Sequence, residues 1–514
     1  MKQCLLHIEP LGVTLSADRG TSLYEVLKNC HLEFPCGGKG LCGNCKVRIL
    51  SGQVEKTEVH RAFLERKHLS SEWCLACLTV LTEDLTIEIP EGAMDIQTDE
   101  SEITGNGGKE EYAVAVDVGS TTVVSQLVAL HTGKVLATCS GINPQTTYGA
   151  DIISRIAFAV SDKHQAALLR DLLREEIGKQ IAQMLRECPG CIPSRVRLVG
   201  NTVMHHLFAG YDVRPLSAAP FQSPLNDGYR YLPSELGWDL PDRCSVEFLP
   251  NISHFIGSDI LAGIKACGMA DSDEYVLLID LGTNGEMVAG NRQKLWCTST
   301  AAGPAFEGIN ISCGMRASDG AISGVEFEDG KFVVTTIGGA PPPKGLCGSG
   351  LVEAVDCLLQ QGFIDFTGMT TDEKAGDFQL ADGVFLTLAD IREFQLAKAA
   401  IATGISFLLK YSGIRMEDLT RVYVTGGLGN HLNVDKIKRL GLLSQVPSDR
   451  FLVLPNAALW GCKLSLTGQD TAGWKDILQR LVYCPLETAA EFQDFYCEHL
   501  FFPYECESAV ENIF

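Results

Sequence analysis

The sequence predicts a small α+β module followed by a larger two-lobed α/β body, and three observations predict it. Seven of the 20 cysteines fall within the first 77 residues, around a glycine-rich loop. An apolar strand ending in aspartate and turning on glycine occurs at Asp117 and again at Asp280, 163 residues later. Between the two regions lies a short acidic stretch with little apolar content. The 514 residues are a prior for about three domains at ~150 residues each.

Composition narrows the function classes. Hydrophobic residues at 46% against 21% charged supply a large core and argue against global disorder. A formal net charge of −22 repels polyanions, so neither nucleic acid nor an anionic membrane surface is an expected partner. The start MKQCLLHIEPLGVTL alternates like a strand and lacks a basic-then-apolar leader, and no run nears ~18 apolar residues. A cytoplasmic protein is expected, whose cysteines are thiols, metal ligands or redox groups because structural disulfides are rare there.

The first module is read from FPCGGKGLCGNCKVRIL and WCLACLTV, which supply Cys36, Cys42, Cys45 and Cys77. Four thiolates hold a 2Fe-2S cluster, and glycines at 37, 38, 40 and 43 let backbone N–H groups approach its sulfurs. The spacing resembles adrenodoxin and plant-type ferredoxins, although the plant type places four rather than five residues between the first two cysteines. A competing reading takes Cys42, Cys45, Cys74 and Cys77 as two C-x-x-C pairs around structural zinc; it leaves Cys36 and the glycines without a role. In the cluster reading Cys74 is a buried neighbour. A ferredoxin-like β-grasp fits the surroundings: strands near 3–8 and 12–16, a helix opening at Ser22 with Glu25 as a capping-box partner, a strand at 46–50, and a closing strand with Leu85, Ile87 and Ile89 on one face. The module spans residues 1–92. Residues 93–111, with six acidic side chains and a Gly-Asn-Gly-Gly stretch, read as a flexible linker able to span up to ~60 Å.

Residues 112–271 and 272–464 read as two lobes, with 465–514 as a C-terminal helical segment. YAVAVD runs into Gly119, Ser120, Thr121 and Thr122 and then a second strand, a hairpin with a polar tip. YVLLID repeats this with Gly282, Thr283 and Asn284 ahead of Glu286. Two such tips across a cleft would present N–H and hydroxyl groups to phosphate, and Asp117 and Asp280 would hold Mg²⁺ through water. Glu286 is the candidate for orienting a hydrolytic water. RVYVTGGLGNHLNVDKI adds a strand, a turn at Gly426, Gly427 and Gly429, and a helix, against which a nucleotide could lie. Asn456 and the Gly345–Gly350 turn before a helix at 351–361 are further cleft candidates, the latter for an anion at a helix N-terminus.

Other residues read as structural. His205 and His206 lie on a predicted helix about 100° apart. Cys188-Pro189-Gly190-Cys191 closes the amphipathic helix 164–187, whose Leu169, Leu172, Leu173, Ile177, Ile181 and Met184 have core spacing.

The three glycine elements resemble the phosphate-1, phosphate-2 and adenosine motifs of the acetate and sugar kinase, Hsp70 and actin superfamily, which implies a two-lobed actin-like ATPase. Together with CGGKGLCGNC, the motifs NPQTTYGADIISRI, VGNTVMHHLFAG, IGSDILAGI, STAAGPAFEGINISCGMRA and GLCGSG resemble the reductive activators of corrinoid-dependent enzymes over nearly the whole chain. That resemblance implies a 2Fe-2S ferredoxin fused to an ATPase. It implies an electron passing from an external donor through the cluster to Co(II) on a methyltransferase's corrinoid protein, regenerating Co(I) at the expense of Mg·ATP. Ser299, in the small-residue loop 299–304, is a candidate corrinoid contact, and a homodimer is implied only by analogy. The competing readings are a small-molecule kinase with a regulatory cluster and a plain iron-sulfur carrier on an inert scaffold. An activator of radical dehydratases is disfavoured by the N-terminal ferredoxin.

Overall fold

The computed structural model describes residues 3–9, 13–27, 45–66, 70–89, 98, 101–105, 107–149, 151–218, 221–224, 227–338, 342–372, 376–427, 432–443, 445–467 and 473–503. Cys36, Cys42, their loop glycines, Gly429 and most of 90–100 lie outside these residues.

The N-terminal module is a five-stranded mixed sheet in the order Val13–Asp18, Gln3–Glu9, Leu85–Glu88, Lys46–Ser51, Trp73–Leu75. The first and last long strands pair in parallel (Leu6 with Leu85, Ile8 with Ile87), the β-grasp signature. Alternation along Gln3–Glu9 puts Cys4, Leu6 and Ile8 into the core with Leu23, Leu27, Val47 and Ile87. The short helix Leu23–Leu27 is capped by Ser22, whose Oγ accepts from Tyr24 N at 3.2 Å.

The remaining chain carries two six-stranded sheets that share a five-strand core, the sixth strand standing at opposite edges: Tyr229–Tyr231 beside Ser245–Phe248 in the first and Leu481–Tyr483 beside Leu295–Ala301 in the second. In the first, the central strand Tyr112–Val118 pairs antiparallel with Thr122–Ala129, which pairs with Lys134–Ile142; on its other side it pairs in parallel with Pro193–Gly200 and, beyond that, Ser245–Phe248. In the second, Tyr275–Leu281, Asn284–Gly290, Leu295–Ala301, Leu419–Gly426 and Phe451–Val453 occupy the same places. Central strands covered on both faces must be apolar throughout, and Ala113–Val116 and Val276–Ile279 are. The helix Lys163–Glu187 lays Leu169, Leu173, Ile177, Ile181 and Met184 on the first sheet, with Leu172 only half-buried. It ends at Cys188, where Gly190 (φ +89°) turns the chain and Cys191 N bonds Cys188 O, the turn expected of the C-P-G-C sequence.

The chain divides into two compact units, residues 1–268 with 456–479 and residues 269–455 with 480–514, and this differs from the sequence reading in three places. The helix Ala457–Leu466 belongs to the first unit, where it crosses Ser258–Ala266 so closely that a Cβ on Gly461 would lie 1.9 Å from Ala262 O. The segment 465–514 is not a helical appendage: Leu481–Tyr483 pairs in parallel with Leu295–Cys297, and Phe492–Leu500 packs along Leu388–Ser412 in the second unit. Its end is held by the buried Lys398, whose Nζ donates to Phe501 O at 2.6 Å, and by Gln395 Nε2 to Leu500 O at 3.1 Å. Third, the linker is docked over its second half. Ile103, the apolar residue in that half, is 4% exposed in a cluster with Leu459, Cys462 and Leu466.

Candidate functional site

The cysteine site is built on the strand Lys46–Ser51 and the turn after Trp73–Leu75. Cys45 precedes the first strand, and Cys77 sits in the 3₁₀ turn Ala76–Leu78, tied back by Ala76 N to Cys45 O at 2.9 Å. The two thiols converge to 3.2 Å. Behind the turn, His60 of the helix Glu58–Arg66 is buried and its Nε2 lies 3.3 Å from both Leu75 O and Thr79 Oγ1; burial lowers its pKa. Cys74 differs. It is 1% exposed in the strand, and burial pushes its thiol pKa up against an opposing hydrogen bond with Thr79. Two convergent thiols beside a buried third fit two ligands of an iron-sulfur cluster, with Cys36 and Cys42 outside the described residues.

In the first unit Asp117 is one residue from the end of the central strand, in register with Val124 and Val199. Both valines are buried under the helices Ser258–Ala266 and Ala457–Leu466, so the carboxylate on the same face meets the N-cap of the second helix: Asn456 Nδ2 donates to Asp117 Oδ2 at 2.9 Å. Loss of solvation raises the Asp117 pKa to about 6, with the Asn456 bond pulling the other way. The tip Gly119–Thr122 is held by side chains that the sequence reading did not single out. Asn143 Nδ2 donates to Gly119 O at 2.8 Å, Asn143 N to Thr121 O at 2.8 Å, and Arg155 Nη2 to Ser120 O. Arg155 is wholly buried and also bonds Gly149 O at 2.8 Å. The signal available was an arginine on the buried face of the short helix Ile152–Ser161, inside the NPQTTYGADIISRI motif.

In the second unit the equivalent row is polar. Asp280 is in register with Thr425 on one side and Glu286 on the other, and Glu286 with Ser299. Cross-strand partners share a face, so Thr425, Asp280, Glu286 and Ser299 form one line. Ser299 therefore lies within a strand, not in a loop, and beside Glu286. Thr283 Oγ1 donates to Glu307 Oε1, Gly303 N to Thr283 O at 3.0 Å, and Gly282 N to Asn284 O at 3.1 Å. Gly426, at φ +92°, abuts the row: a Cβ there would lie 2.5 Å from Asp280 Oδ1. Gly427 is exposed and donates to Leu281 O at 3.1 Å.

One further expectation changes, and one is met. The Gly345–Gly350 turn is buried throughout and its helix starts at Gly348, where a Cβ on Gly350 would lie 1.9 Å from Ile322 O; close packing, not anion access, requires its glycines. His205 and His206 are both buried in the helix Thr202–Ala209. His205 stacks on Phe248 at 4.1 Å and His206 Nδ1 lies 2.7 Å from Thr202 O, as structural residues would.

Fold and site together define a ferredoxin-type module joined to a duplicated, actin-like fold. Known proteins agree with that class. The model of the 2Fe-2S iron-sulfur cluster binding domain matches residues 6–82, that of the RACo middle region residues 112–272, and that of the C-terminal ASKHA domain of RACo residues 274–513. The corrinoid activation enzyme RamQ of Eubacterium limosum is 31% identical over 422 residues, covering 77% of this chain and 71% of that protein. The Co(II) methylated amine-specific corrinoid protein reductase of Methanosarcina barkeri is 27% identical over 360 residues, 64% of this chain and 65% of that one. A solved reductive activator for corrinoid, iron-sulfur protein aligns over 98% of both chains at 28% identity and TM-score 0.68. The chain belongs to the RACo family. Among the described residues no helix is long and apolar enough to cross a membrane.

Proposed function

We propose that this protein reductively activates a corrinoid protein, passing one electron to its Co(II) to regenerate Co(I), with Mg·ATP driving the change. The observation that carries this reading is the 98% mutual coverage with a reductive activator, which leaves neither the cysteine module nor the two Asp-bearing sheets without a counterpart.

Cys36, Cys42, Cys45 and Cys77 would hold the 2Fe-2S cluster, which when bound supplies a one-electron carrier. Asp117 and Asp280 would organise Mg²⁺ through its water shell, which supplies charge neutralisation at the phosphates. The tips Gly119–Thr122 and Gly282–Asn284 would orient phosphate oxygens, and Gly426, Gly427 and Gly429 would receive the nucleoside. The duplication separates the roles of the two sheets. Only the second carries a carboxylate on the neighbouring strand, Glu286, where the first has Val124, so Glu286 with Ser299 beside it would position the attacking water. Arg155 and Asn143 keep the first tip in place. An electron moved against ~59 mV costs about 1.4 kcal/mol, so a conformational coupling of ~1 to 3 kcal/mol offsets roughly 40 to 130 mV.

The test is anaerobic optical spectroscopy of a Co(II) corrinoid methyltransferase subunit mixed with this protein, a reductant and Mg·ATP. Co(I) is expected only with ATP and only with the intact chain, not with Cys42→Ser. Equal reduction without ATP would replace the reading with that of a simple electron carrier.

A further inference from the structure

The turn that carries Cys77 leaves one carbonyl that the sheet does not use. Trp73–Leu75 is an edge strand of the N-terminal module, and Leu75 stands opposite Lys46, next to the pair in which Ala76 N donates to Cys45 O at 2.9 Å. Bonded and non-bonded pairs alternate along an antiparallel ladder, so Leu75 O points off the sheet edge. Leu75 is wholly buried, and a buried carbonyl without a partner is costly. Two side chains meet it. Thr79 Oγ1 donates to Leu75 O at 2.8 Å, and His60 Nε2, from the helix Glu58–Arg66, lies 3.3 Å from both Leu75 O and Thr79 Oγ1. On the far side of the ring Nδ1 lies 3.4 Å from Thr57 N, a group that can only donate. Nδ1 is therefore the acceptor, and the ring proton sits on Nε2, aimed at the Leu75 carbonyl. The helix docks into the module core through Leu64, one turn on, so the polar ring of the wholly buried His60 serves the turn rather than the core.

We propose that His60 is a positioning residue for the iron-sulfur site: it fixes the Leu75 carbonyl, and with it the 3₁₀ turn that sets Cys77 Sγ 3.2 Å from Cys45 Sγ. The inference rests on the reading that these two thiols are cluster ligands, and it gives His60 no contact with the cluster. The turn is short. Ala76–Leu78 closes through Thr79 N to Ala76 O at 3.2 Å, and a 3₁₀ turn has poorer hydrogen-bond geometry than an α-helix, so it deforms readily. Thr79 belongs to the same segment and moves with it. His60 belongs to a different element, so its N–H holds the carbonyl in the frame of the module. Leu23 N bonds Thr79 O at 2.8 Å, and that bond, like Ala76 N to Cys45 O, is made by backbone and fixes where the turn sits. The imidazole fixes how the Leu75 carbonyl is rotated, and hence the direction of the thiol two residues on. Partners of this kind orient the atoms that bind a metal without touching it.

The experiment uses the full chain, reconstituted anaerobically with iron and sulfide, and reads the rate at which excess EDTA removes the iron, with the melting temperature of each variant measured alongside. His60→Phe keeps an aromatic ring and removes the Nε2 proton; iron release is expected to be about tenfold faster, the lower end of what loss of such a partner costs in metal affinity. His60→Gln returns an N–H near the Nε2 position and should release iron at the wild-type rate. Leu64→Ala weakens the same helix without touching Leu75 O, and should lower the melting temperature while leaving the rate unchanged. If His60→Phe folds poorly, His60→Asn, too short to reach Leu75 O, makes the same comparison. Release at the wild-type rate in His60→Phe, or acceleration that His60→Gln shares or Leu64→Ala matches, overturns the positioning role and leaves the cluster standing. A wild-type chain that takes up no iron overturns the cluster reading and this inference with it.

Discussion

Gly426 and Gly427 are neighbours in sequence, yet the structure asks different things of them. Gly426 sits at φ +92°, and a Cβ there would lie 2.5 Å from both Asp280 Oδ1 and Leu281 O. Gly427 has open space around its Cβ position and no left-handed backbone. Gly426→Ala therefore incurs about 1–2 kcal/mol for the left-handed conformation and roughly 1–3 kcal/mol for overpacking. Of the atoms in the way only the Asp280 carboxylate belongs to a side chain, the others being backbone, so relief comes from moving it. A carboxylate displaced by ~1 Å forfeits a charged hydrogen bond worth about 1.5–3 kcal/mol, which is ten- to hundredfold in affinity. Isothermal titration with Mg·ATP should show that loss for Gly426→Ala and wild-type affinity for Gly427→Ala. Equal affinities in both variants, or an equal loss in both, would refute the argument that Gly426 is glycine in order to seat Asp280.

Three other outcomes follow from the geometry. Cys77→Ser should lose most of the bound iron and the visible absorbance of the anaerobically purified protein, while Cys74→Ser retains both; loss of bound metal in both variants would restore the zinc-type pairing, which uses both thiols. Glu286→Gln should lower ATP hydrolysis by ~100-fold or more with little change in nucleotide affinity, as general-base assistance is worth 10²–10⁴, and a purely structural Glu286 would move affinity and melting temperature together. His205 is buried with both ring nitrogens lacking a well-formed hydrogen bond, and burial lowers its pKa to about 3 from 6.5. The folded state thus keeps it neutral. Its contribution is complete above pH 6.5 and is lost as pH falls toward 3, reaching about 2 kcal/mol of lost stability near pH 5. Denaturant unfolding of the wild type and His205→Phe at pH 7.5 and 5 should show a smaller acid loss in the variant.

Much of this was legible in the sequence because the signals are local. Cysteine spacing, the Asp-Gly turns and the period-two strands depend on neighbours a few residues away, so the β-grasp module, the duplicated hairpins and the helix 163–187 could be read directly. The helix-closing Cys188–Cys191 turn and the buried His205–His206 pair were legible for the same reason. Ser299 was misread because Thr298–Ala302 is a run of small residues that looks like a loop, while its strand character comes from pairing with Asn284–Gly290. The Gly345–Gly350 turn was misread because glycines that admit an anion and glycines that admit a neighbouring strand have the same sequence.

What the sequence determined by itself is the chemistry available: four cysteines with ferredoxin spacing, two aspartates at glycine turns, and a strongly acidic net charge. Only the tertiary structure decided which of these groups meet. The Cys77 thiol meets that of Cys45 at 3.2 Å from the 3₁₀ turn, while the strand buries the Cys74 thiol. Asn456 reaches Asp117, and Lys463 reaches Ser101, because the chain crosses back into the first unit after residue 455. Contacts spanning more than three hundred residues leave no periodic trace in the sequence; they are set by how the sheets and crossing helices pack, and that packing places Asp117 and the second half of the linker beside the helix Ala457–Leu466.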